Sequence, residues 1–464
     1  MTEVRENCAG IPPLRARLEP WQVQLASDPD RLAAWIAEHG SPVNLIQPEF
    51  LGRNSAEFVQ AAREQGVPLR IFFARKANKS LALVIEANRL GLGVDVASEG
   101  ELRQVLEMGV DAARVVVTAA VKPGAILETC VESGATIVID NTDELALLSE
   151  CRAGREVNVA VRLAPRPASD RAPTRFGMSH DEIVEAVREV SDWLVLEGVH
   201  FHLDGYDAGE RVAAIAESLD LIDALRDLGH DLRFLDIDGG IPMSYLESHD
   251  EWEDFWLEHA SARAGDRDEI TLDGHEIGTV YPYFQSPVRG EWLRGILAAS
   301  LGASTVAEEI RMRELELRCE PGRALVDGCG LTVARVEFRK QRADGTWLIG
   351  LAMNRTQMRS TSDDFLVDPL LLRPSDARAP SEACQGYLVG AYCIERELIS
   401  WRRFLFPQGV AVGDLVAFPN TAGYLMHILE SASHQIPLAR NLVVNGNEAR
   451  LDPIDDGSYY KRTT

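Results

Sequence analysis

An alternation of short apolar strands and helical stretches, beginning near Arg70, constrains the fold more than any other feature of the sequence. Eight strand-like runs are rich in β-branched and aromatic residues, and stretches with apolar residues at helical spacing separate them. The runs are Ile71 onward (IFFA), Gly93 onward (GVDVAS), Val115 onward (VVVTAA), Thr136 onward (TIVID), Asn158 onward (NVAVRL), Val195–His202, Phe234–Ile237 and Leu315–Cys319. The first five are apolar on both faces, as parallel strands are. The pattern predicts an α/β fold with a (β/α)8 TIM barrel, and an open doubly wound sheet is the structural alternative.

Two regions depart from this alternation. Residues 245–295 are an expected insertion rich in aromatic side chains, for which a packing flap is slightly favoured over a substrate lid. After Leu331 the helices fade, and strand-like runs separated by turn residues predict a C-terminal β-rich domain, a β-barrel or sandwich. We therefore expect residues 1–42 to pack with the β domain, 43–325 to form the barrel and 326–464 to form the β domain, a division that suits 464 residues.

Composition and net charge narrow the range of partners and locations that we expect. The formal net charge is −25, which repels phosphate backbones, so we expect neither nucleic acid nor an anionic membrane as a partner. Seven scattered cysteines without a C-x-x-C pair favour a reducing, cytoplasmic location and argue against disulfides or a metal site. The sequence has no secretory signal pattern and no apolar run long enough for a transmembrane helix.

The residues with chemical potential follow the predicted strands. Lys76 comes directly after the first strand among Phe72, Phe73 and Ala77, and this apolar setting predicts a lowered pKa and a nucleophilic amine. Taken alone, a lysine at such a position is more often a surface residue. His202 ends the sixth strand, where a single histidine usually has a structural role.

The last two strands end in further candidates. Paired glycines, Gly239 and Gly240, follow the seventh strand and let backbone N–H groups approach a phosphate, although such a pair is often only a turn. Glu320, Gly322 and Arg323 follow the eighth strand. Because the carboxyl ends of barrel strands meet at one mouth, all these residues are expected to converge on an active site there.

The ordered motifs carry a resemblance to a known family. They are FFARKAN, GVDVASEGEL, PTRFGMS, GVHFHLDG, LDIDGGIP, CEPGR, GAYCIERE, VGDLVAF and NTAGYLM, and they span roughly Ile71 to Met426. In these motifs the chain resembles the fold-type III pyridoxal-phosphate decarboxylases, the group of ornithine and diaminopimelate decarboxylases. The resemblance implies pyridoxal 5'-phosphate as cofactor, a small-molecule amino-acid substrate and decarboxylation of its α-carboxylate.

The resemblance also implies residue roles. Lys76 would form the Schiff base that leads to a quinonoid intermediate, His202 would stack on the cofactor ring, and Glu320 would keep the pyridine nitrogen protonated. Cys393, in GAYC, matches a catalytic cysteine that the partner subunit donates, which implies a homodimer with shared active sites. The residues implied for the phosphate are Gly239, Gly240, Gly322, Arg323 and Tyr424.

Two departures concern the phosphate site. Asp238 stands where the family has the first of three glycines, and a carboxylate beside a phosphate is unfavourable unless it points away or is neutralised. Asp204 and Gly205 follow His202 where the family has glycine and serine. The phosphate contacts are therefore expected to differ in detail.

A third departure concerns the substrate. Ile394 follows Cys393 where the diamine-producing enzymes have an acid, and Glu395 comes one residue later. Asn354 and Arg355 stand where those enzymes have an aspartate, and an arginine would repel a distal ammonium. We therefore take Arg355, Glu395 and Asn354 as candidate substrate contacts and expect a larger or differently charged amino acid.

Two other functions are compatible with the same fold. An amino-acid racemase or epimerase is the first alternative, but racemases of the alanine type place an arginine at the pyridine nitrogen, where this chain has Glu320. A non-catalytic, regulatory homologue is the second, and it is disfavoured because the implied cofactor residues are all present.

Overall fold

The computed structural model describes residues 3–167, 172–189, 193–360, 365–378 and 382–456. Its helices are α1 (Pro20–Ala26), α2 (Pro29–His39), α3 (Phe50–Glu64), α4 (Leu81–Arg89), α5 (Glu99–Glu107), α6 (Gly124–Ser133), α7 (Thr142–Cys151), α8 (His180–Glu189), α9 (Ala208–Asp227), α10 (His249–Ala264), α11 (Arg289–Ala298) and α12 (Val306–Met312). Among the described residues, no helix combines the length and the apolar character needed to cross a membrane.

The strands fall into two main groups. The first ten are β1 (Ala9–Gly10), β2 (Val43–Ile46), β3 (Leu69–Ala74), β4 (Gly93–Val96), β5 (Val115–Val117), β6 (Thr136–Ile139), β7 (Val157–Leu163), β8 (Leu194–Phe201), β9 (Phe234–Asp236) and β10 (Ser300–Leu301). The others are β11 (Ser304–Thr305), β12 (Glu316–Cys319), β13 (Gly330–Gln341), β14 (Trp347–Leu351), β15 (Leu370–Leu372), β16 (Cys384–Val389), β17 (Phe404–Phe406), β18 (Leu415–Pro419), β19 (Arg440–Asn445) and β20 (Glu448–Leu451).

Strands β3 to β9 and β12 close into an eight-stranded parallel barrel, in the order β12-β3-β4-β5-β6-β7-β8-β9. The predicted TIM barrel is thereby confirmed, and the open sheet is wrong. Every residue of β4, β5 and β6 is buried, as expected for strands that are covered on both faces. Phe72, Val116, Val138, Ala160 and Phe234, from five barrel strands, form a buried cluster of their own, typical of a packed barrel interior.

A second, ten-stranded sheet confirms the predicted β domain. Its order is β1-β17-β16-β14-β13-β2-β19-β20, and β18 pairs with both β13 and β15. Strand β13 bends at a bulge between Val336 and Phe338, so its two halves pair with different neighbours. Val43–Ile46, which the expected division assigns to the barrel, pairs with β13 and β19 in this sheet.

Residues 245–295 contain α10, a short 3-10 turn (Leu272–Gly274) and the start of α11. Phe255, Tyr281 and Tyr283 are buried, and the Tyr281 ring lies under the Arg323 guanidinium at 4.0 Å. The aromatic side chains of this segment are therefore packed against the barrel mouth.

Candidate active site

Lys76 lies at the barrel mouth, in the 3-10 turn Arg75–Ala77 that follows β3. Its Nζ is 3.4 Å from Asp95 Oδ2, 3.8 Å from Asp238 Oδ1 and 3.7 Å from Glu320 Oε2. These carboxylates belong to β4, to the loop after β9 and to the end of β12. Barrel closure therefore brings together three acids that are far apart in sequence.

The surroundings of Lys76 reverse the expected direction of its pKa. Burial lowers the pKa of this amine, but the carboxylates of Asp238, Asp95 and Glu320 together outweigh burial and hold it well above its usual range. The sequence-based prediction of a depressed pKa is wrong, since it considered the apolar neighbours alone. Without the cofactor, Lys76 is an ammonium ion at neutral pH.

Glu320 is fully buried, and neither of its carboxylate oxygens has a hydrogen-bond partner among the described residues. Burial, followed by the nearby carboxylates of Asp95 and Asp238, raises its pKa well above the usual range. His200 Nε2 lies 3.6 Å from Glu320 Oε1. A buried carboxylate without a hydrogen bond in the protein can accept one from a ligand.

The orientation of the His200 ring is fixed by Arg162. Arg162 Nε donates to His200 Nδ1 at 3.3 Å, and Arg162 Nη1 donates to Asp140 Oδ1 at 2.8 Å. Burial and the Arg162 charge lower the pKa of His200 well below its usual range. The imidazole is therefore neutral, and its remaining proton lies on Nε2, on the side of Glu320.

Two further acids follow β9. Asp236 is buried, and burial together with the Asp238 carboxylate raises its pKa to about 7. Asp238 Oδ2 is 2.5 Å from His202 Nδ1, so the predicted ring-stacking histidine is already oriented by a carboxylate. We call Lys76, Asp95, Asp236, Asp238 and Glu320 the lysine cluster.

A second group, the arginine pocket, consists of Arg323 and four tyrosines: Tyr206, Tyr245, Tyr281 and Tyr424. Arg323 Nη1 donates to Tyr245 Oη at 2.9 Å, and the guanidinium lies over the rings of Tyr281 and Tyr424 at 4.0 and 5.0 Å. Burial raises the pKa of all four phenols, that of Tyr206 to about 12, so they remain neutral. Within the described part of the chain no carboxylate forms an ion pair with Arg323, and its charge is available to an anion.

The glycines of the site allow close backbone approach. A Cβ on Gly322, whose φ is +55°, would lie 2.7 Å from Tyr424 Oη. A Cβ on Gly239 would lie 2.9 Å from the Glu320 carbonyl oxygen, and one on Gly240 would lie 2.7 Å from that of Gly205. Side chains at these positions would collide with the walls of the mouth. Tyr424 is tied to the lysine turn, since its N–H donates to the Ala77 carbonyl at 2.8 Å.

The candidates from the β domain make their contacts with one another and with their own loops. Cys393 is exposed in the loop between β16 and β17, and Glu395 is exposed two residues later. The Arg355 N–H donates to Glu397 Oε1 at 2.8 Å, and Arg355 Nη1 donates to the Arg396 carbonyl at 3.1 Å. None of the hydrogen bonds and ion pairs found among the described residues joins these side chains to Lys76 of the same chain.

Asn354, the remaining candidate, is buried, and its Oδ1 accepts from the N–H and hydroxyl of Thr356. Its side-chain oxygen is therefore committed to the turn that leads into Arg355.

Sequence reasoning missed several members of the site, namely Asp95, His200, Asp236, Tyr206, Tyr245 and Tyr281. A signal exists for three of them. His200 and Asp236 precede His202 and Asp238 by two positions, the period at which strand side chains share a face, and Asp95 is an acid inside an otherwise apolar strand. The tyrosines carried no such pattern.

Comparison with known proteins agrees with this geometry. Residues 53–267 match the family described as pyridoxal-dependent decarboxylase, pyridoxal binding domain. The chain is 33% identical over 431 residues to an uncharacterized protein, y4yA, of Sinorhizobium fredii, with 91% of this chain and 92% of that protein covered. It is 23% identical to a diaminopimelate decarboxylase of Zymomonas mobilis, with 89% of this chain and 90% of the relative covered.

The fold is that of a solved decarboxylase. The diaminopimelate decarboxylase of Helicobacter pylori, complexed with L-lysine, superposes with a TM-score of 0.67 at 18% identity. The alignment covers 93% of this chain and 99% of that one. The chain therefore belongs to the fold-type III pyridoxal-phosphate decarboxylases, as a divergent member. Its cofactor is pyridoxal 5'-phosphate, and it is an amino-acid decarboxylase.

Proposed function

We propose that this enzyme removes the α-carboxylate of an amino acid whose side chain does not end in an ammonium group, with Lys76 as the covalent anchor of the cofactor. The observation that supports this most is the placement of Lys76 Nζ within 3.8 Å of Asp95, Asp238 and Glu320 at the barrel mouth. This is the edge of the barrel where such folds carry their active sites.

The residues present fit pyridoxal phosphate. The unpartnered, buried carboxylate of Glu320 suits a protonated ring nitrogen, and Arg323, which no described carboxylate neutralises, suits a phosphate. A Cβ at Gly322 would lie 2.7 Å from Tyr424 Oη, so the absence of a side chain lets the Tyr424 hydroxyl and the Gly322 backbone lie side by side in the arginine pocket. We assign the phosphate to Arg323, Tyr424 and the backbone of Gly239, Gly240 and Gly322, the residues that the family resemblance implies.

When bound, pyridoxal phosphate supplies an electron-withdrawing ring that accepts the electron pair left by departing CO2. In our proposal Glu320 would keep the ring nitrogen protonated, and His202, whose orientation Asp238 fixes, would pack against the ring. Holding these groups in place before the reaction would supply much of the catalysis. Lys76 would be the residue that holds the cofactor covalently.

The substrate proposal rests on the loop around Cys393. Ile394 stands where the resemblance places an acid for a distal amine, and Glu395 and Arg355 are the polar groups that remain. Arg355 is 30% exposed, and Glu397 Oε2 lies 3.6 Å from its Nε, so part of its charge is compensated. We propose that Arg355 contacts an acidic group of a larger substrate side chain, and that Glu395 accepts hydrogen bonds from a neutral part of it.

We also propose a homodimer, in which Cys393 of one copy reaches the mouth of the other. Cys393 and Ile394 are exposed, and the apolar side chains of Ile428, Leu429 and Leu438 are exposed as well. The Tyr392 hydroxyl donates to the Ser431 carbonyl at 2.9 Å, which joins the two loops that carry these residues. An exposed apolar group beside a functional loop is typical of a subunit interface. The cytoplasmic location stays a prediction.

The test is a screen for CO2 release by cofactor-loaded protein across basic, acidic and conjugated amino acids of both configurations. Lys76→Ala is expected to abolish release and the visible absorption of the lysine-bound cofactor. Lys340→Ala is the control, since Lys340 is an exposed lysine of β13 whose amine lies over the Phe338 ring. It is expected to retain both CO2 release and the cofactor absorption within about threefold.

Different outcomes contradict different parts of the proposal. Turnover of ornithine or lysine at the highest rate in the panel would contradict the substrate assignment alone. Deuterium exchange at Cα without CO2 release would replace decarboxylation by racemisation. Failure to bind the cofactor at all would favour the non-catalytic alternative.

A further inference from the structure

Asp238 occupies a backbone conformation that favours glycine. Its φ is +52°, in the left-handed region where an L side chain carries a conformational cost, yet its side chain is only 3% exposed. Burial of a carboxylate adds a desolvation cost to this strain. Contacts of the Asp238 side chain must compensate for the backbone strain and for the cost of burying the carboxylate. These contacts therefore indicate the role of the residue.

The Asp238 carboxylate contacts four groups of the site. Oδ2 lies 2.5 Å from His202 Nδ1 and 3.8 Å from His200 Nε2. Oδ1 accepts from the N–H of Gly239 at 2.5 Å and lies 3.8 Å from Lys76 Nζ. Both oxygens are therefore used, and every partner is a donor or a cation.

The protonation states follow from these contacts. Burial raises the pKa of Asp238, but Lys76 and His202 outweigh burial and hold it well below its usual range. An ionised carboxylate can only accept a hydrogen bond, so His202 Nδ1 must carry the proton. The plane of the imidazole and its tautomer are then both determined by Asp238.

We propose that Asp238 is a positioning residue: its carboxylate fixes the ring plane and the Nδ1–H form of His202 and supplies part of the negative charge that holds Lys76. The arrangement has the same logic as the aspartate that orients the histidine in a serine-hydrolase triad. The inference rests on the proposed function only in taking Lys76 as the anchor of the cofactor. The link between Asp238 and His202 is independent of any reaction.

The charged and titratable groups that act on Lys76 come from every side of the mouth. They are Asp95, Asp238, Glu320, Glu101, His200 and Tyr424. Loss of Asp238 leaves Asp95 at 3.4 Å and Glu320 at 3.7 Å, so Lys76 keeps two ion pairs. The site is therefore expected to persist in a variant that lacks this carboxylate.

The experiment compares Asp238→Gly, Asp238→Asn and Asp95→Asn in cofactor-free protein. Glycine suits the left-handed backbone, and asparagine tolerates it, so both variants at position 238 are expected to fold. Asp95→Asn is the matched control, because Asp95 also faces Lys76 but has no contact with His202 among the described residues.

The first readout is the ¹⁵N resonance pair of the His202 ring, assigned with His202→Gln in protein labelled at histidine. In the wild type and in Asp95→Asn we expect Nδ1 to be protonated. In Asp238→Gly we expect the proton to move to Nε2. In Asp238→Asn the amide oxygen can still accept a hydrogen bond from Nδ1, so we expect the Nδ1–H form to be partly retained. An unchanged His202 spectrum in Asp238→Gly would overturn the proposal.

The second readout is the pH dependence of cofactor loading, followed by absorbance. Because the neutral amine is the reactive form, Asp238→Asn and Asp95→Asn are both expected to load at lower pH than wild type, by about half to one unit. A loading profile of Asp238→Asn identical to wild type would contradict the second part of the proposal, the charge on Lys76.

Activity separates this inference from the proposed function. With a substrate found in the screen, Asp238→Gly is expected to lower kcat about tenfold to a hundredfold, with KM within about threefold. A normal kcat in Asp238→Gly would overturn the positioning role. If no amino acid is turned over even by the wild type while the His202 resonances respond as expected, the decarboxylase proposal fails and the link between Asp238 and His202 stands.

Discussion

The lysine cluster and the arginine pocket lie at the same barrel mouth but have opposite electrostatic characters. Around Lys76, one ammonium faces the carboxylates of Asp95, Asp238 and Glu320. Around Arg323, a partly buried guanidinium faces neutral phenols, the Ser360 hydroxyl and aromatic rings. The first region has an excess of negative charge, and the second has an uncompensated positive charge.

This difference shows what kind of ligand the mouth can take. A ligand that places a protonated nitrogen near Glu320 and an anion near Arg323 relieves both imbalances at once. Pyridoxal phosphate has this distribution, with its ring nitrogen and its phosphate at separate positions. Substitutions in the two regions are therefore expected to impair different properties: kcat in the lysine cluster and cofactor affinity in the arginine pocket.

The largest effect is expected from Glu320→Gln, which removes a charge from the lysine cluster while keeping its shape. We expect kcat to fall about 10²- to 10³-fold, because a neutral amide does not hold the ring nitrogen protonated. Cofactor affinity is expected to stay within about threefold, since the arginine pocket is intact. Steady-state kinetics and absorbance titration measure the two quantities.

The control for this change lies on the strand that immediately precedes Glu320. Glu316 of β12 pairs with Arg70 and Arg318, away from Lys76. Glu316→Gln is expected to change kcat by less than about threefold. Equal losses in the two variants would show that charge at Glu320 has no particular role.

A smaller effect is expected from Arg323→Met, which removes the charge of the arginine pocket. Loss of a charge-assisted contact of about 1.5–3 kcal/mol should weaken cofactor binding roughly 10- to 100-fold. At saturating cofactor, kcat should remain within about threefold, the reverse of the Glu320→Gln pattern. Arg335→Met, which breaks the exposed pair with Glu337, is the control. A normal affinity in Arg323→Met would place the phosphate elsewhere.

The smallest effect concerns the pH dependence of stability. Asp236, with a pKa of about 7, retains its proton in the folded state at pH values where the unfolded chain has released it. Its pKa is raised on folding, so the free energy of unfolding falls as the pH rises from about 4 to about 7. Asp236→Asn should flatten this dependence and raise Tm at pH 8 by roughly 2–4 °C in cofactor-free protein.

The control for Asp236→Asn is Asp231→Asn, because Asp231 is an exposed partner of Arg233. It should leave the melting curve unchanged at every pH. An unchanged pH dependence in Asp236→Asn would show that the carboxyl keeps an ordinary pKa and is already ionised near neutral pH, and the effect of the crowded acids in the lysine cluster would then be overstated.

Much of the fold could be predicted because each barrel strand carries a local signal. The runs at Gly93, Val115 and Thr136 are apolar on both faces, and all three form strands of the barrel. The resemblance also gave the family, and thereby the cofactor. Strand Val43–Ile46 shows the limit, since a four-residue run with three apolar side chains does not reveal which of two sheets it joins.

The sequence by itself determined that Lys76, His202, Glu320 and Arg323 share one mouth, because parallel strands place their carboxyl ends together. Only the tertiary structure decided the electrostatics there. The direction of the Lys76 pKa depends on carboxylates that lie 19, 162 and 244 residues along the chain, and Coulomb energy depends on distance in space. In the same way, the doubt about Asp238 was resolved only when the fold placed His202 and Lys76 beside its two oxygens.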